Sequence, residues 1–209
     1  PLNKFSKLER SSIVNEGKEK ILKVRLLKGK IGPKEGGAHK KIEFTERYKK
    51  CSIQYYVKFS DNFDFVKGGK LPGLVGGTIP VGGKESIGGF SARIMWREKG
   101  KISQYIYYEG KDPSKKWGED ISWKVSFKPG KWYKLKTSIK MNSPGNKDGL
   151  IKSWFDDKLV LNKKIMFRKK GSTFLIDAFN FTVFFGGNDK TWAPKKDEVI
   201  YFKEFKIIE

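Results

Sequence analysis

An antiparallel all-β sandwich is the fold class this sequence predicts, on three observations. Apolar and polar residues alternate in short runs, Gly, Pro, Asn and Asp punctuate those runs, and no stretch longer than a turn or two has helical periodicity. At 209 residues the chain has room for one good core and is short for two. One domain, residues 18–209, is therefore expected after an N-terminal arm, residues 1–17.

That arm is polar and irregular, with a short strand at the sandwich edge as the alternative. Within 20–27, Leu22, Val24 and Leu26 alternate with Lys23 and Arg25, the period of a half-buried strand. Residues 29–41 read as a glycine-rich loop holding the only histidine, His39, a candidate general base whose polar setting favours a merely solvated side chain. Cys51, Ile53, Tyr55, Val57 and Phe59 form one face of a clean strand. The single cysteine, Cys51, excludes an intrachain disulfide and reads as a small core residue. Asp61 and Asp64 fall in a turn, with fewer oxygen ligands than calcium requires. Residues 66–89 show no strand pattern, yet they contain Leu71, Leu74, Val75 and Ile79. They read as a loop packed over the sheet, with Lys67, Lys70 and Lys84 riding on it.

Residues 89–108 predict a hairpin. Phe90, Ala92, Ile94 and Trp96 alternate with Ser91, Arg93, Met95 and Arg97, and Ile102, Gln104, Ile106 and Tyr108 alternate with Ser103, Tyr105 and Tyr107. A two-residue loop of Lys99 and Gly100 would set Arg93 opposite Ile106 and Arg97 opposite Ile102, mixing charge with core. A three-residue loop of Glu98, Lys99 and Gly100, with Gly100 left-handed, instead pairs Trp96 with Ile102 and Ala92 with Ile106. In that register Arg93 faces Tyr105 and Ser91 faces Tyr107, so one face carries a guanidinium, a hydroxyl and two phenols.

Beyond a polar excursion over 111–120, Ile121, Trp123, Val125 and Phe127 alternate toward a Pro129-Gly130 turn. Tyr133, Leu135, Thr137, Ile139 and Met141 then alternate with Trp132, Lys134, Lys136, Ser138 and Lys140. Strands over 150–155 and 158–161 are joined by Asp156-Asp157, the aromatic run 174–185 reads as central in a sheet, and 198–208 supplies the last strand.

The net charge of +22 calls for a polyanionic partner: nucleic acid, an anionic membrane surface or an acidic polysaccharide. No recognition-helix or RNA-binding signature is present, and no apolar run approaches the ~18 residues of a spanning helix. The chain begins with Pro1 and not Met, as a processed form or a fragment would. Only six of the 45 basic residues are arginine, and Arg93 and Arg97 share one strand face. Arginine's fork grips carboxylate or phosphate through two bonds, whereas lysine acts as a point charge.

One histidine and one cysteine cannot furnish a catalytic metal centre, and a Ser-His-Asp triad would have to use His39 with no nucleophile elbow in sight. Nucleotide-binding glycine patterns are missing, and no carboxylate pair lies on the hairpin face. Tyr, Arg and Lys remain, the set that β-elimination on a uronic acid polymer needs. A cation must neutralise the carboxylate beside C5, a base must take the C5 proton, and an acid must protonate the departing O4.

Several segments also resemble a known family. GGKLPGL at 68–74, SAR at 91–93, YIY at 105–107, NSPGNKDGLIKSWFDDKLVL and FFGGNDKTWAP are similar to polysaccharide lyase family 14, which includes chlorella-virus lyases of alginate and glucuronan. The likeness covers roughly residues 18–208. It implies a β-jelly roll with a substrate groove across its concave sheet; because the sequence has no metal-ligand cluster, the β-elimination is expected to need no metal or cofactor. By motif it implies catalytic or substrate-binding roles for Lys70, Ser91, Arg93, Tyr105 and Tyr107. Arg97, on the Arg93 face, and Lys67, on the adjoining loop, are added as substrate-binding residues. Which tyrosine is acid or base, and whether Lys70 takes the proton, stays open. An acidic polysaccharide is the expected partner, with no nucleic acid or membrane, for a monomer that is secreted or virion-associated. A non-catalytic, lectin-like binding module is the rival.

The charge carries a test of its own. As the Debye length shrinks from ~10 Å at about 0.1 M to ~3 Å at about 1 M ionic strength, steering of a polyanion weakens. The apparent KM for a polyuronate should rise over that range more than the maximal rate falls; an unchanged KM would disconnect the charge from this substrate.

Overall fold

The computed structural model describes Phe5 and residues 8–209, and within them it is a β-jelly-roll sandwich of two antiparallel sheets. The seven-stranded sheet runs β1 (Ser11–Glu16), β2 (Glu19–Leu26), β13 (Glu198–Ile208), β4 (Lys50–Phe59), β9 (Trp132–Lys140), β10 (Gly149–Phe155), β11 (Lys158–Ile165). The six-stranded sheet runs β3 (Ala38–Tyr48), β12 (Ile176–Phe185), β5 (Gly68–Gly77), β6 (Gly89–Arg97), β7 (Lys101–Tyr107), β8 (Glu119–Ser126). The short helical pieces at Gly32–Gly36, Glu98–Gly100 and Lys190–Trp192 are connectors.

The core lies between the sheets and follows the two-residue period of each strand. β9 buries Tyr133, Leu135, Thr137 and Ile139 and turns Trp132, Lys134, Lys136 and Ser138 outward. Phe179, Phe181, Val183 and Phe185 of β12 and Cys51, Ile53, Tyr55, Val57 and Phe59 of β4 are likewise buried. Trp96 is fully buried, packed edge-on by Phe59, Phe63 and Phe185 at centroid distances of 5.6, 5.9 and 5.4 Å. Its indole Nε1 donates to the Phe65 carbonyl at 3.2 Å, which satisfies the one polar atom this burial would otherwise strand.

The hairpin has the three-residue register: Trp96 pairs with Ile102, Ala92 with Ile106, Arg93 with Tyr105 and Ser91 with Tyr107. Gly100 has φ 73°, and Lys99 joins it in the left-handed region at φ 58°.

Other expectations are corrected. Within the segment read as an arm, Ser11–Glu16 is the edge strand β1, turned back onto β2 through Gly17 at φ 62°; residues 1–4, 6 and 7 lie outside the described residues. His39 sits on β3, not in a loop.

The largest departure is β5. Where a packed loop was expected over 66–89, Gly68–Gly77 is a strand hydrogen-bonded between β12 and β6, and only 78–88 loops out. Its glycines hide the alternation while doing a steric job. A Cβ on Gly69 would lie 2.1 Å from the Trp96 ring and 2.4 Å from the Phe184 carbonyl. Pro72 interrupts the ladder, the register slips between Leu71 and Gly73, and the Pro72 carbonyl accepts from the Tyr55 hydroxyl at 3.1 Å.

Two substitutions test this packing. Ile106→Ala, at a fully buried position, should cost about 2–5 kcal/mol by denaturant unfolding. Gly69→Ala must displace an indole and should cost about 1–3 kcal/mol or more. Wild-type stability of Ile106→Ala would mean that β7 does not turn Ile106 into the core, and wild-type stability of Gly69→Ala that β5 and β6 do not meet as described.

Candidate active site

Because β5 turns Gly69 toward Trp96, its neighbour Lys70 points to the opposite, outward face of the six-stranded sheet. Arg93, Met95 and Arg97 of β6 and Tyr105 and Tyr107 of β7 share that face. With His39 and Lys41 from β3, Asn180, Thr182 and Phe184 from β12, and Asp120 from β8, they floor a groove of about 870 Å³ to which all six strands contribute. Ile79, Val81 and Gly82, together with Trp117 and Trp192, help to wall it.

Lys70 is 8% exposed and pairs with Met95 in the ladder, where its ammonium nitrogen meets the Met95 sulfur. The same nitrogen lies 3.7 Å from the centroid of the Tyr105 ring. Burial, then the nearby Arg93 and Arg97 charges, hold its pKa well below the usual lysine value, with Asp120 opposing. Asp120 offers little relief, because it is ion-paired with Arg97. The environment thus favours a neutral amine.

Arg93 is 4% exposed, and burial lowers its pKa to about 10, with Tyr107 and Tyr105 opposing; it remains a cation at neutral pH. Among the described residues its side chain has no ion pair, and Nε is buried with no hydrogen-bond partner. A buried guanidinium left unmatched is an unfavourable arrangement that a carboxylate would relieve.

The two phenols sit at right angles, ring centroids 5.6 Å and hydroxyls 3.5 Å apart. Each hydroxyl accepts a backbone N–H: Gly118 N donates to Tyr105 at 3.2 Å, and Gly83 N donates to Tyr107 at 3.0 Å. Burial and the Tyr107 hydroxyl push the Tyr105 pKa above the ordinary phenol range, opposed by the Gly118 N–H and Arg93. Tyr105 is therefore a protonated phenol at neutral pH.

The remaining residues singled out from the sequence divide. Arg97 lines the groove with its charge committed to Asp120. Ser91 is fully buried and donates to the Pro80 carbonyl at 2.8 Å, so it braces the 78–88 loop from beneath the groove. Lys67 is outside the groove lining, its nitrogen 2.6 Å from the Thr191 hydroxyl on the turn that carries Trp192. His39 is in the lining, exposed, with Nε2 3.0 Å from Asn180 Oδ1. Sequence reasoning gave no role to Met95, Asp120, Trp117 or Trp192. Met95 had a signal in its place between Arg93 and Arg97 on one strand face, and Trp192 lies in the FFGGNDKTWAP segment that carries the family likeness.

The sequence matches the Polysaccharide lyase 14 family over residues 14–205. The chain belongs to this family. It is accordingly a polysaccharide lyase, and the groove is its candidate active site. The structure of alginate lyase Aly36B is 26% identical, with a TM-score of 0.86 over 100% of this chain and 88% of that one. Alginate lyase vAL-1 from Chlorella virus is 25% identical, with a TM-score of 0.77 over 95% of this chain and 88% of its own. The marine PL-14 alginate lyase from Aplysia kurodai shares the fold at 24% identity, with a TM-score of 0.81 over 99% of this chain and 92% of that one. No curated protein matches the sequence.

The Lys70 environment predicts a pH-dependent stability difference. Its folded pKa lies well below the unfolded value near 10.5, so between the two the unfolded chain holds a proton the folded chain lacks. Stability from this group is complete above the unfolded pKa and is lost as pH falls through that window. Lys70→Met lyase should be more stable than the wild type at the acid end, the gap closing as pH rises. A gap that does not vary with pH in chemical unfolding would show that Lys70 titrates normally.

Proposed function

We propose that this lyase cleaves polyuronates by β-elimination, with Lys70 as general base and Tyr105 as general acid. The observation that carries the reading is the buried, unmatched Arg93 guanidinium beside a lysine amine held toward neutrality. A polymer of uronic acids brings to that place a carboxylate on every sugar. The alginate lyases similar to this chain support alginate as a substrate, and polyglucuronate presents the same acidic C5.

Arg93 binds the carboxylate and neutralises it, so the electron pair released at C5 can delocalise into the carboxyl group. Preorganised donors at a developing charge are typically worth ~3–4 kcal/mol. The neutral Lys70 amine takes the C5 proton, the C5–H electrons form the C4=C5 double bond, and the C4–O4 bond breaks. The Tyr105 hydroxyl gives its proton to O4 as it leaves. Lys70 then carries the extra proton and Tyr105 the negative charge, and proton exchange with solvent in the open groove resets both. Opposite displacements of two neighbouring pKa values separate base from acid. Tyr107, hydrogen-bonded by Gly83 and next to Tyr105, orients the acid. Arg93 supplies the positive charge in this scheme, so no metal is required.

Ultraviolet absorbance of the unsaturated uronate end, followed with alginate and polyglucuronate in the presence of a strong chelator, tests this directly. Absorbance should grow with time. Tyr105→Phe and Lys70→Met should lose about 10²–10⁴ in rate while remaining folded. The wild-type rate should rise with pH through a midpoint well below the usual lysine value, since the base must be neutral. Saturable binding with no absorbance gain would make this a binding module, and full activity in both variants would place the chemistry elsewhere.

A further inference from the structure

The seven-stranded sheet also has an outward face, on the far side of the sandwich from the groove. Cross-strand register sets aromatic rings and lysines side by side on it. Tyr201 of β13 is paired with Lys58 of β4, and Lys58 with Trp132 of β9. The Lys58 nitrogen lies 5.0 Å from the Trp132 centroid and 5.1 Å from that of Tyr201. In the next row Lys203 is paired with Tyr56, its nitrogen 5.8 Å from the Tyr56 ring and 4.9 Å from Trp132. Further along, Lys136 of β9 is paired with Trp154 of β10 at 5.0 Å. Leu159, opposite Trp154 on β11, is 52% exposed and prolongs the apolar strip.

We propose that this face is a second binding surface for acidic polysaccharide, which holds the polymer while the groove on the opposite sheet cuts it. The choice of a uronate polymer rests on the reading of the groove given above. A uronate sugar is a ring with apolar C–H faces and a carboxylate on one edge, and an aromatic ring with an ammonium about 5 Å away offers both complements at once. Tyr201 and Trp132 stand two strands apart, ~9.6 Å at the usual strand spacing, so one chain laid across the sheet meets successive platforms. The charges grade along the face. Lys58, Lys203 and Lys134 are ion-paired with Glu16, Glu19 and Asp157. At the Trp154 end, Lys136, Lys152 and Lys206 have no ion pair among the described residues, so the end that carries Trp154 and the exposed Leu159 is also the one with uncommitted positive charge. None of these residues lines the groove.

Two surfaces on one polymer raise its apparent affinity by avidity without changing the chemistry at either. Retention of the non-cleaving Lys70→Met protein in gels containing long-chain alginate should fall about tenfold or more when Trp132→Ala and Trp154→Ala are added. In the otherwise wild-type enzyme the same pair should leave turnover of an alginate tetrasaccharide unchanged, because so short a chain cannot span both faces. Should the tryptophan variant fail to fold, the charge variant Lys136→Ser, Lys152→Ser, Lys206→Ser decides by the same two readouts. Undiminished retention in the folded variants overturns the proposal. So does a loss confined to duplex DNA or phosphatidylserine vesicles with alginate binding intact, which would assign the face to another polyanion. Retention is compared between proteins with the same groove, so failure of the proposed elimination chemistry changes both alike and leaves their difference standing.

Discussion

A single contact, the Trp96 indole lying over Gly69, couples the core of this lyase to its groove. The indole is fully buried and hydrogen-bonded to Phe65, and it fills the space in which any β-carbon on Gly69 would have to sit. That contact keeps Gly69 facing inward. By strand alternation the next residue, Lys70, must then face outward, and its ladder partner Met95 sets it two residues along β6 from Arg93, on the same face. Core packing and the placement of the amine are one geometric fact seen from two sides of a sheet.

What the core places there is electrostatically uncomfortable. Lys70 and Arg93 are both nearly sealed from solvent, and the nearest carboxylate, Asp120, is tied to Arg97. Lys70 is met by a sulfur atom and the face of a tyrosine ring, which suit a neutral amine better than a carboxylate would, since a carboxylate would lock the ammonium form. Arg93 has no such escape, because a guanidinium does not give up its proton near neutrality. The surrounding sandwich has to offset that cost. The large aromatic cluster of Phe59, Phe63, Phe65, Phe127, Trp96 and Phe185 lies directly beneath this sheet. Stability given up at a site in exchange for function is a familiar balance.

How much of this the sequence shows depends on whether a side chain leaves a periodic trace. The β6–β7 hairpin was legible because alternation on both arms and a glycine in its loop admit only one register that keeps Arg93 off the core. That register brought Arg93, Tyr105 and Tyr107 together correctly. β5 was illegible because Gly68, Gly69, Gly73, Gly76 and Gly77 occupy positions where side chains would have shown a period of two. Lys70 therefore reached the site through motif resemblance alone. Ser91 was assigned to the groove from its pairing with Tyr107, but pairing fixes a face and not depth, and Pro80 caps its hydroxyl. Lys67 differs by one kind of fact, a hydrogen bond to a residue 124 positions away that no local pattern records. The displaced pKa values of Lys70 and Tyr105 are products of burial, which exists only once the chain has folded.

The charge of the chain is distributed in a way the groove alone does not explain. Of the 45 lysines and arginines, Lys34, Lys41, Lys70, Arg93 and Arg97 line the groove, and Asp120 cancels one of them. Within the groove Arg93, a forked guanidinium with no ion pair among the described residues, is the group suited to fixing one carboxylate in one orientation, since Arg97 is tied to Asp120. The rest of the surface is dominated by lysine, whose strongly hydrated point charge attracts a polyanion without fixing its register. A polymer that must slide past a cutting site needs both kinds of contact, rigid at the bond being broken and yielding elsewhere. Lysine laid over aromatic rings on the opposite sheet is of the yielding kind, since stacking tolerates translation along a ring face and an ammonium can follow a moving carboxylate on its flexible stem.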